Sequence, residues 1–239
     1  MDGSAYIICT LPRSGSTGLA DLLCQTGIAG VPREYLSRPE RFVADSRVGY
    51  ESFFPHLLKI GSTANGIFGA KIFWFQIAQL AEMLARTPPY SRLSFDDALN
   101  QLFPRLSYIW LRRRDKLRQA ISYYRASETN IWSTRRRFPT HLETCQFDRE
   151  KIEYWRRRII EWDQGWSQFF EARSISPLTI VYEDMVGNWY KTVTEILHFL
   201  EASYTGRPTF RLRYARQSDA LTDKWVKLFD EPSTDGHYL

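Results

Sequence analysis

Short apolar runs alternate along the chain with longer stretches in which apolar residues recur every three or four positions. Tyr6–Thr10 is such a run, bounded by Pro12, and reads as a buried strand. From Ser16 to Thr26, Leu19, Leu22 and Leu23 recur at helical spacing, and Gly27 stands where that helix should end. Ile67–Phe73 reads as a second strand. A helix follows through Ile77, Leu80, Ala81 and Leu84, stopped by Pro88-Pro89. Ser94 opens another helix, with Asp97 three positions on as an imperfect capping box. Leu106–Leu111 predicts a strand and Asp115–Ala126 a helix. A long helix runs from about Asp148 to Glu171, with Ile152, Trp155, Ile159, Trp162, Trp166 and Phe169 at core spacing. Leu178–Tyr182 is a last strand and Trp189–Leu200 a last helix.

Strand followed by helix, repeated, predicts an α/β fold: a parallel sheet flanked by helices, here one domain over residues 1–239. Ligands of such sheets sit at the carboxyl ends of the strands, near the switch in strand order. The loops after Thr10, after Leu111 and after Tyr182 are therefore where function is expected.

Composition narrows the class. The apolar fraction of 44% supports a packed core, and 25% charged residues exclude a membrane-spanning chain. A net charge of +5 suits an anionic ligand but is too small to argue for nucleic acid. Cys9, Cys24 and Cys145 are odd in number and lack C-x-x-C spacing, so neither a disulfide scaffold nor a zinc site is expected. The start of the chain shows no signal peptide, and no run of about 18 apolar residues exists. The expectation is a cytoplasmic protein without a membrane span or a metal. Aromatics make up 15% of the residues, a high share that chiefly fills the core, with a flat-ligand or sugar pocket as the second use open to some of them.

The most informative segment is Leu11-Pro12-Arg13-Ser14-Gly15-Ser16-Thr17, which leaves a strand and opens a helix. Its small residues leave backbone N–H groups uncovered, and the helix dipole adds positive character. Ser14, Ser16 and Thr17 add hydroxyls, and Arg13 adds a guanidinium fork for an oxyanion. The residue types argue against a nucleotide-hydrolysing P-loop, because no glycine lies five positions before Gly15 and the lysine of that motif is absent. A cysteine phosphatase is excluded too: Cys9 lies only four positions before Arg13, inside the strand. A second basic turn, Arg112-Arg113-Arg114-Asp115, follows the strand Leu106–Leu111, and Ser122 and Arg125 lie on the helix after it. Two anion sites on strand ends suggest a ligand with two separated phosphate-like groups. Arg135–Arg137 and Arg156–Arg158 read as solvated faces.

Together these segments resemble the sulfotransferases that use 3′-phosphoadenosine 5′-phosphosulfate, and the chain is most similar to the bacterial trehalose 2-sulfotransferase family. Leu11–Thr17 resembles that family's phosphosulfate loop, with its R-S-G-S-T core. Thr26-Gly27-Ile28-Ala29-Gly30-Val31-Pro32-Arg33-Glu34 is similar to its TGVAGEPQE. Lys71, Trp74 and Gln76 match G-K-x-x-W-x-Q, and Gln119–Ser122 with Arg125, Ala126 and Trp132 match the 3′-phosphate helix. Arg216-Gln217-Ser218-Asp219 and Trp225-Val226 match a C-terminal R-Q-A-D…W-V element. The likeness spans about Ala5 to Asp230.

The resemblance implies a P-loop-like sulfotransferase fold and a donor bound by Arg13, Ser14, Gly15, Ser16, Thr17, Ser122 and Arg216. It places an arginine eight or nine residues before Ser122 on the 3′-phosphate. Arg113 and Arg114 both satisfy this, and the nine-residue spacing of the trehalose enzymes favours Arg113. It implies Glu34 as the base that takes the acceptor proton, and no histidine lies in a matched motif to replace it. Arg13 would stabilise charge on the leaving group. Pro12, Pro32, Arg33, Glu34 and Tyr35 would face a carbohydrate or glycolipid acceptor. A homodimer is implied by the resemblance alone, and Tyr182-Glu183-Asp184 resembles an element that supports the loops. Two departures bear on the acceptor: Pro12 and Val31 stand where the trehalose enzymes carry polar sugar contacts, and Arg33 replaces an amide. Two other readings compete, an ATP-dependent small-molecule kinase and a non-catalytic nucleotide-binding module.

Overall fold

The computed structural model describes residues 4–36, 52–132, 145–204, 209–213 and 220–231. They fall into two compact units, one of Met1–Arg114 with Trp162–Leu212 and one of Asp115–Glu161 with Arg213–Leu239.

The first unit is built on four strands: β1 (Ala5–Thr10), β2 (Phe68–Phe73), β3 (Leu106–Arg112) and β4 (Leu178–Val181). Their order is β2-β1-β3-β4 and every pairing is parallel. Ala5 aligns with Phe68 and Leu106, and Thr10 with Phe73 and Leu111, so the carboxyl ends lie flush. From β1 the chain crosses to β2 on one side and then returns to β3 on the other. The carboxyl ends of β1 and β3 are thus the switch point where a ligand is expected. Every residue of β1 is buried, as a central parallel strand covered on both faces requires.

Alternation along the strands sorts the core. Tyr6, Ile8, Ile109 and Leu111 point to one face. There they meet Leu19, Leu22 and Leu23 of α1 (Ser16–Thr26) and Val193, Ile196 and Leu197 of a later helix (Trp189–Phe199). The other face carries Tyr108 and Trp110, whose rings pack on Phe169 and Phe170. Trp166 stacks on Phe170 and donates its indole N–H to the Thr10 carbonyl at 3.0 Å, pinning that layer to the end of β1.

The remaining helices are α2 (Phe53–Gly61), α3 (Ile77–Ala85), α4 (Phe95–Leu102), α5 (Lys116–Thr129), α6 (Arg149–Ala172), α7 (Tyr182–Gly187), α8 (Trp189–Phe199) and α9 (Ala220–Asp230). Local chemistry sets their ends. Ser94 Oγ accepts from the Asp97 N–H at 3.1 Å and donates to its carboxylate at 2.6 Å, completing the cap of α4. Asp115 caps α5 through the Arg118 N–H at 2.8 Å. Three helices lack a clear sequence signal. Pro55 looks like a breaker but sits in the first turn of α2, where its missing N–H has no partner to lose. Tyr182 continues the apolar run of β4 yet opens the six-residue α7. In α9 only Thr222 and Trp225 are buried, too few to trace a stripe.

In the second unit, Tyr124 of α5 and Trp225 of α9 pack with ring centres 5.9 Å apart. Buried Arg125 donates to Thr222 Oγ1 at 2.9 Å, and Arg118 pairs with Asp223 at 2.6 Å. Arg149 donates to the carbonyls of Leu228, Phe229 and Glu231, satisfying orphan acceptors at the end of α9. Among the described residues no helix is long and apolar enough to cross a membrane.

Candidate active site

The loop after β1 is a rigid, self-bonded turn. The hydroxyls of Thr10 and Ser14 lie 2.7 Å apart. Thr10 Oγ1 also reaches the Leu111 carbonyl at 2.8 Å, and Ser14 Oγ the Leu11 carbonyl at 2.8 Å. Both side chains are fully buried, so what Ser14 offers outward is backbone rather than hydroxyl. Arg13 adopts φ 66° and Gly15 φ 80°, both left-handed. The Gly15 position admits no side chain: a Cβ would lie 2.7 Å from Cδ2 of Tyr182. Ser16 and Thr17 open α1 directly after this turn, and its cap position is Gly15, which has no side chain to bond the first N–H groups, an arrangement suited to an anion.

The end of β3 supports the loop from beside it. Arg113, 8% exposed, donates Nη1 to the Arg13 carbonyl at 3.1 Å. Its guanidinium stacks 4.7 Å from the centre of the Tyr182 ring, and Nε lies 3.8 Å from Glu183. Arg114 is exposed; its Nη2 pairs with Asp184 at 2.6 Å, and its backbone N–H donates to Glu183 at 3.0 Å. Tyr182-Glu183-Asp184 thus clamps both arginines and floors the glycine. Arg112 turns away to Asp163 and to the face of Trp110.

Glu34 is brought to the sheet by a second parallel contact. After α1 the chain returns along the outer edge of β2, with Arg33 bridged to Ala70 and the Lys71 N–H donating to the Arg33 carbonyl at 2.9 Å. Only glycine permits this approach, because a Cβ on Gly30 (φ 66°) would lie 2.5 Å from the Gly69 nitrogen. In this register Glu34 follows Arg33 as Lys71 follows Ala70. The Lys71 ammonium lies 2.6 Å from Glu34 Oε1 and 3.4 Å from Thr17 Oγ1. Lys71 is 3% exposed and so needs a charged partner, whereas a third of the Glu34 side chain remains open to solvent. Lys71 therefore links the carboxylate to the first turn of the loop helix. The sequence motifs match Lys71 without assigning it a role, although a lysine within the apolar run FGAKIF is itself a signal.

The other expected residues are placed as follows. Pro12 and Pro32 are buried, Arg33 is exposed, and Tyr35 is half-buried. The Tyr35 hydroxyl donates to the Val31 carbonyl at 2.6 Å, and burial pushes its pKa up to about 12. The Val31 N–H is spent on the Gly61 carbonyl, so this residue presents no polar side chain and no spare donor. Ser122 lies half-buried on α5 in the second unit. Arg216 lies outside the described residues, as do Arg135–Arg137. Arg156–Arg158 pair with Glu153 and Glu161 on a solvated face. Among the described residues no group of three His, Cys, Asp or Glu is placed to hold a metal ion.

The chain is similar along nearly its whole length to known proteins. The chain is 25% identical to the trehalose 2-sulfotransferase of Mycolicibacterium smegmatis, covering 95% of this chain and 94% of that protein. It is 26% identical to the trehalose 2-sulfotransferase of Mycobacterium tuberculosis, covering 92% of each. The fold is similar to the crystal structure of a sulfotransferase from Alicyclobacillus acidocaldarius, with TM-score 0.52 and 11% identity over 96% of this chain and 92% of that one. The pattern of the Stf0 sulphotransferase family matches residues 5–231. Loop, arginine clamp and carboxylate thus sit within nearly full-length agreement, and the chain belongs to the Stf0 sulphotransferase family.

Proposed function

We propose that this sulfotransferase moves a sulfuryl group from 3′-phosphoadenosine 5′-phosphosulfate to a carbohydrate hydroxyl, with Glu34 as base. The observation that carries the reading is the buried Lys71 ammonium bridging Glu34 and Thr17, which ties a carboxylate to the anion-binding turn. The donor, when bound, supplies the sulfuryl group and leaves as adenosine 3′,5′-bisphosphate. Arg13, the N–H groups of Ser14 and Gly15, and the first turn at Ser16 and Thr17 hold its phosphosulfate end and the charge that grows there. Arg113, Ser122 and Arg216 take the 3′-phosphate, with Arg113 also bracing the loop through the Arg13 carbonyl.

Glu34 accepts the proton of the acceptor hydroxyl as the oxygen attacks sulfur in line, and the bond from sulfur to the bridging oxygen breaks. Lys71 holds the carboxylate in place and offers positive charge beside the transferring group. Pro12, Pro32, Arg33 and Tyr35 border the acceptor. Pro12 and Val31 carry no side-chain hydrogen-bonding group. Trehalose is therefore a poor acceptor compared with another glycan or a glycolipid.

The test is sulfate transfer from labelled donor to a carbohydrate panel by wild type and Glu34→Gln, with bisphosphate affinity measured in parallel. The expected result is transfer that falls by about 10²-fold or more in kcat, with donor affinity preserved. Retention of more than about a tenth of wild-type kcat removes Glu34 from the role of base. Trehalose giving the highest kcat/KM of the panel overturns the acceptor reading.

A further inference from the structure

Beyond Lys71, the strand that carries it ends in an aromatic ledge. The Lys71 ammonium lies 5.7 Å from the centre of the Phe73 ring. Phe73 meets Phe75 at 5.5 Å, and Phe75 rests on Trp162 at 5.2 Å. Trp162 is buried, Phe73 is half-buried, and Phe75 keeps 46% of its surface exposed. An exposed phenylalanine seated on a tryptophan does not complete the core, which closes beneath it through Trp74 and Trp166 at 5.3 Å. The two phenylalanine rings carry no hydrogen-bonding group, and the Gln76 amide beside them is buried, its oxygen accepting from the Phe73 N–H at 2.9 Å.

The geometry points to Phe75, with Phe73, as the specificity-determining surface for an acceptor that carries a hydrocarbon group next to its sulfated sugar. This rests on the carbohydrate reading of the Glu34 site. A sugar presenting a hydroxyl to Glu34 covers the ring nearest Lys71, which is Phe73. Phe75 stands one ring further out, where the substituent of that sugar lies. Phe73 and Phe75 carry no group to bond a hydroxyl, whereas an alkyl or acyl chain on that substituent gains from covering the exposed Phe75 ring. The apolar cavity on the other flank of Lys71, bordered by Tyr35, Leu36, Phe54 and Phe68, does not compete for this role. Its volume of about 20 Å³ holds no more than one water.

The experiment compares hexyl and methyl β-D-glucoside, which share the same hydroxyls. Their affinities for the enzyme saturated with adenosine 3′,5′-bisphosphate are measured by calorimetry in wild type, Phe75→Ala and Phe75→Leu. Thermal midpoints and bisphosphate affinity, both expected to be unchanged, establish that the variants are folded. Wild type is expected to prefer the hexyl glucoside by about tenfold, Phe75→Ala to reduce that preference to below about threefold, and Phe75→Leu to retain most of it. Equal affinities in wild type, or a preference untouched by Phe75→Ala, overturn the ledge. A hexyl preference that depends on Phe75, with no sulfate transferred to either glucoside, supports the ledge and counts against the carbohydrate reaction instead.

Discussion

Lys71 and Glu34, 37 residues apart in the chain, form a 2.6 Å ion pair in which the lysine is buried and the carboxylate half-open. In the proposed reaction this asymmetry has a use: the buried partner fixes the exposed one while leaving it open to solvent.

Lys71→Met is expected to keep most of the length of the side chain while removing its charge. Glu34 can still be hydrated, so the fold should survive. Turnover should fall by about 10²-fold or more, with the bisphosphate affinity changing less than tenfold. Single-turnover kinetics with saturating donor checks this, and an unchanged rate would show that Lys71 only fills the strand.

Arg13 is held at φ 66°, a conformation that disfavours a side chain by about 1–2 kcal/mol. Arg13→Gly relieves that strain and removes the guanidinium. The expected outcome is a thermal midpoint no lower than wild type together with a ten- to hundredfold loss of bisphosphate affinity. Ser122→Ala should lose less, because a hydroxyl is neutral. Calorimetry on both variants decides, and unchanged affinity in both would remove these residues from the donor site.

Arg113 and Arg114 differ in what surrounds them. Removing buried Arg113 breaks its bond to the Arg13 carbonyl and its packing on Tyr182. Arg113→Ala should destabilise by about 2–4 kcal/mol and weaken the bisphosphate. Arg114→Ala, at an exposed pair, should change neither stability nor affinity measurably. Urea melts and donor titrations measure the two effects separately. Loss of affinity in Arg114→Ala alone would assign the 3′-phosphate to Arg114.

Alkaline stability follows from buried phenols. Burial raises the pKa of Tyr6 and Tyr108 and pushes those of Tyr35 and Tyr124 up to about 12. Below the unfolded value near 10 both states hold these protons and nothing changes. Above it the unfolded chain loses them while the folded one keeps them, so stability falls as pH rises from 10 through about 12. Urea midpoints at pH 8, 10 and 11 should be level and then drop, with part of the tyrosinate absorbance withheld until the protein unfolds. A midpoint that stays flat to pH 11 contradicts this account.

Much of the first unit was legible in the chain. The period of the apolar residues located β1, β2, β3 and β4 and placed α1 at its observed bounds. The loop Leu11–Thr17 announced itself because its chemistry is contiguous. Glu34 entered only through the family resemblance and its pairing with Lys71 not at all, because that relationship depends on which strand the returning chain lies against. The Arg33–Ala70 bridge is a long-range contact that no local pattern encodes. Ser14 shows the opposite limit: its hydroxyl looks available in sequence, yet the bonds it makes to Thr10 and Leu11 turn it inward. Arg113 was visible as a charge but not as a brace, since Tyr182 and Glu183 reach it from a distant strand end.

The run from Gly30 to Arg33 has one more effect. Among the described residues β2 is one of the two edge strands of the sheet, and an edge strand offers its open backbone groups to any passing chain. The Arg33–Ala70 bridge and the contact of Ser62 with Phe68 occupy that border. The segment that delivers the carboxylate is therefore also the guard of the sheet's edge. A substitution that dislodges it, such as a bulky residue at Gly30, uncovers a strand reading FGAKIF and turns a loss of activity into a tendency to aggregate.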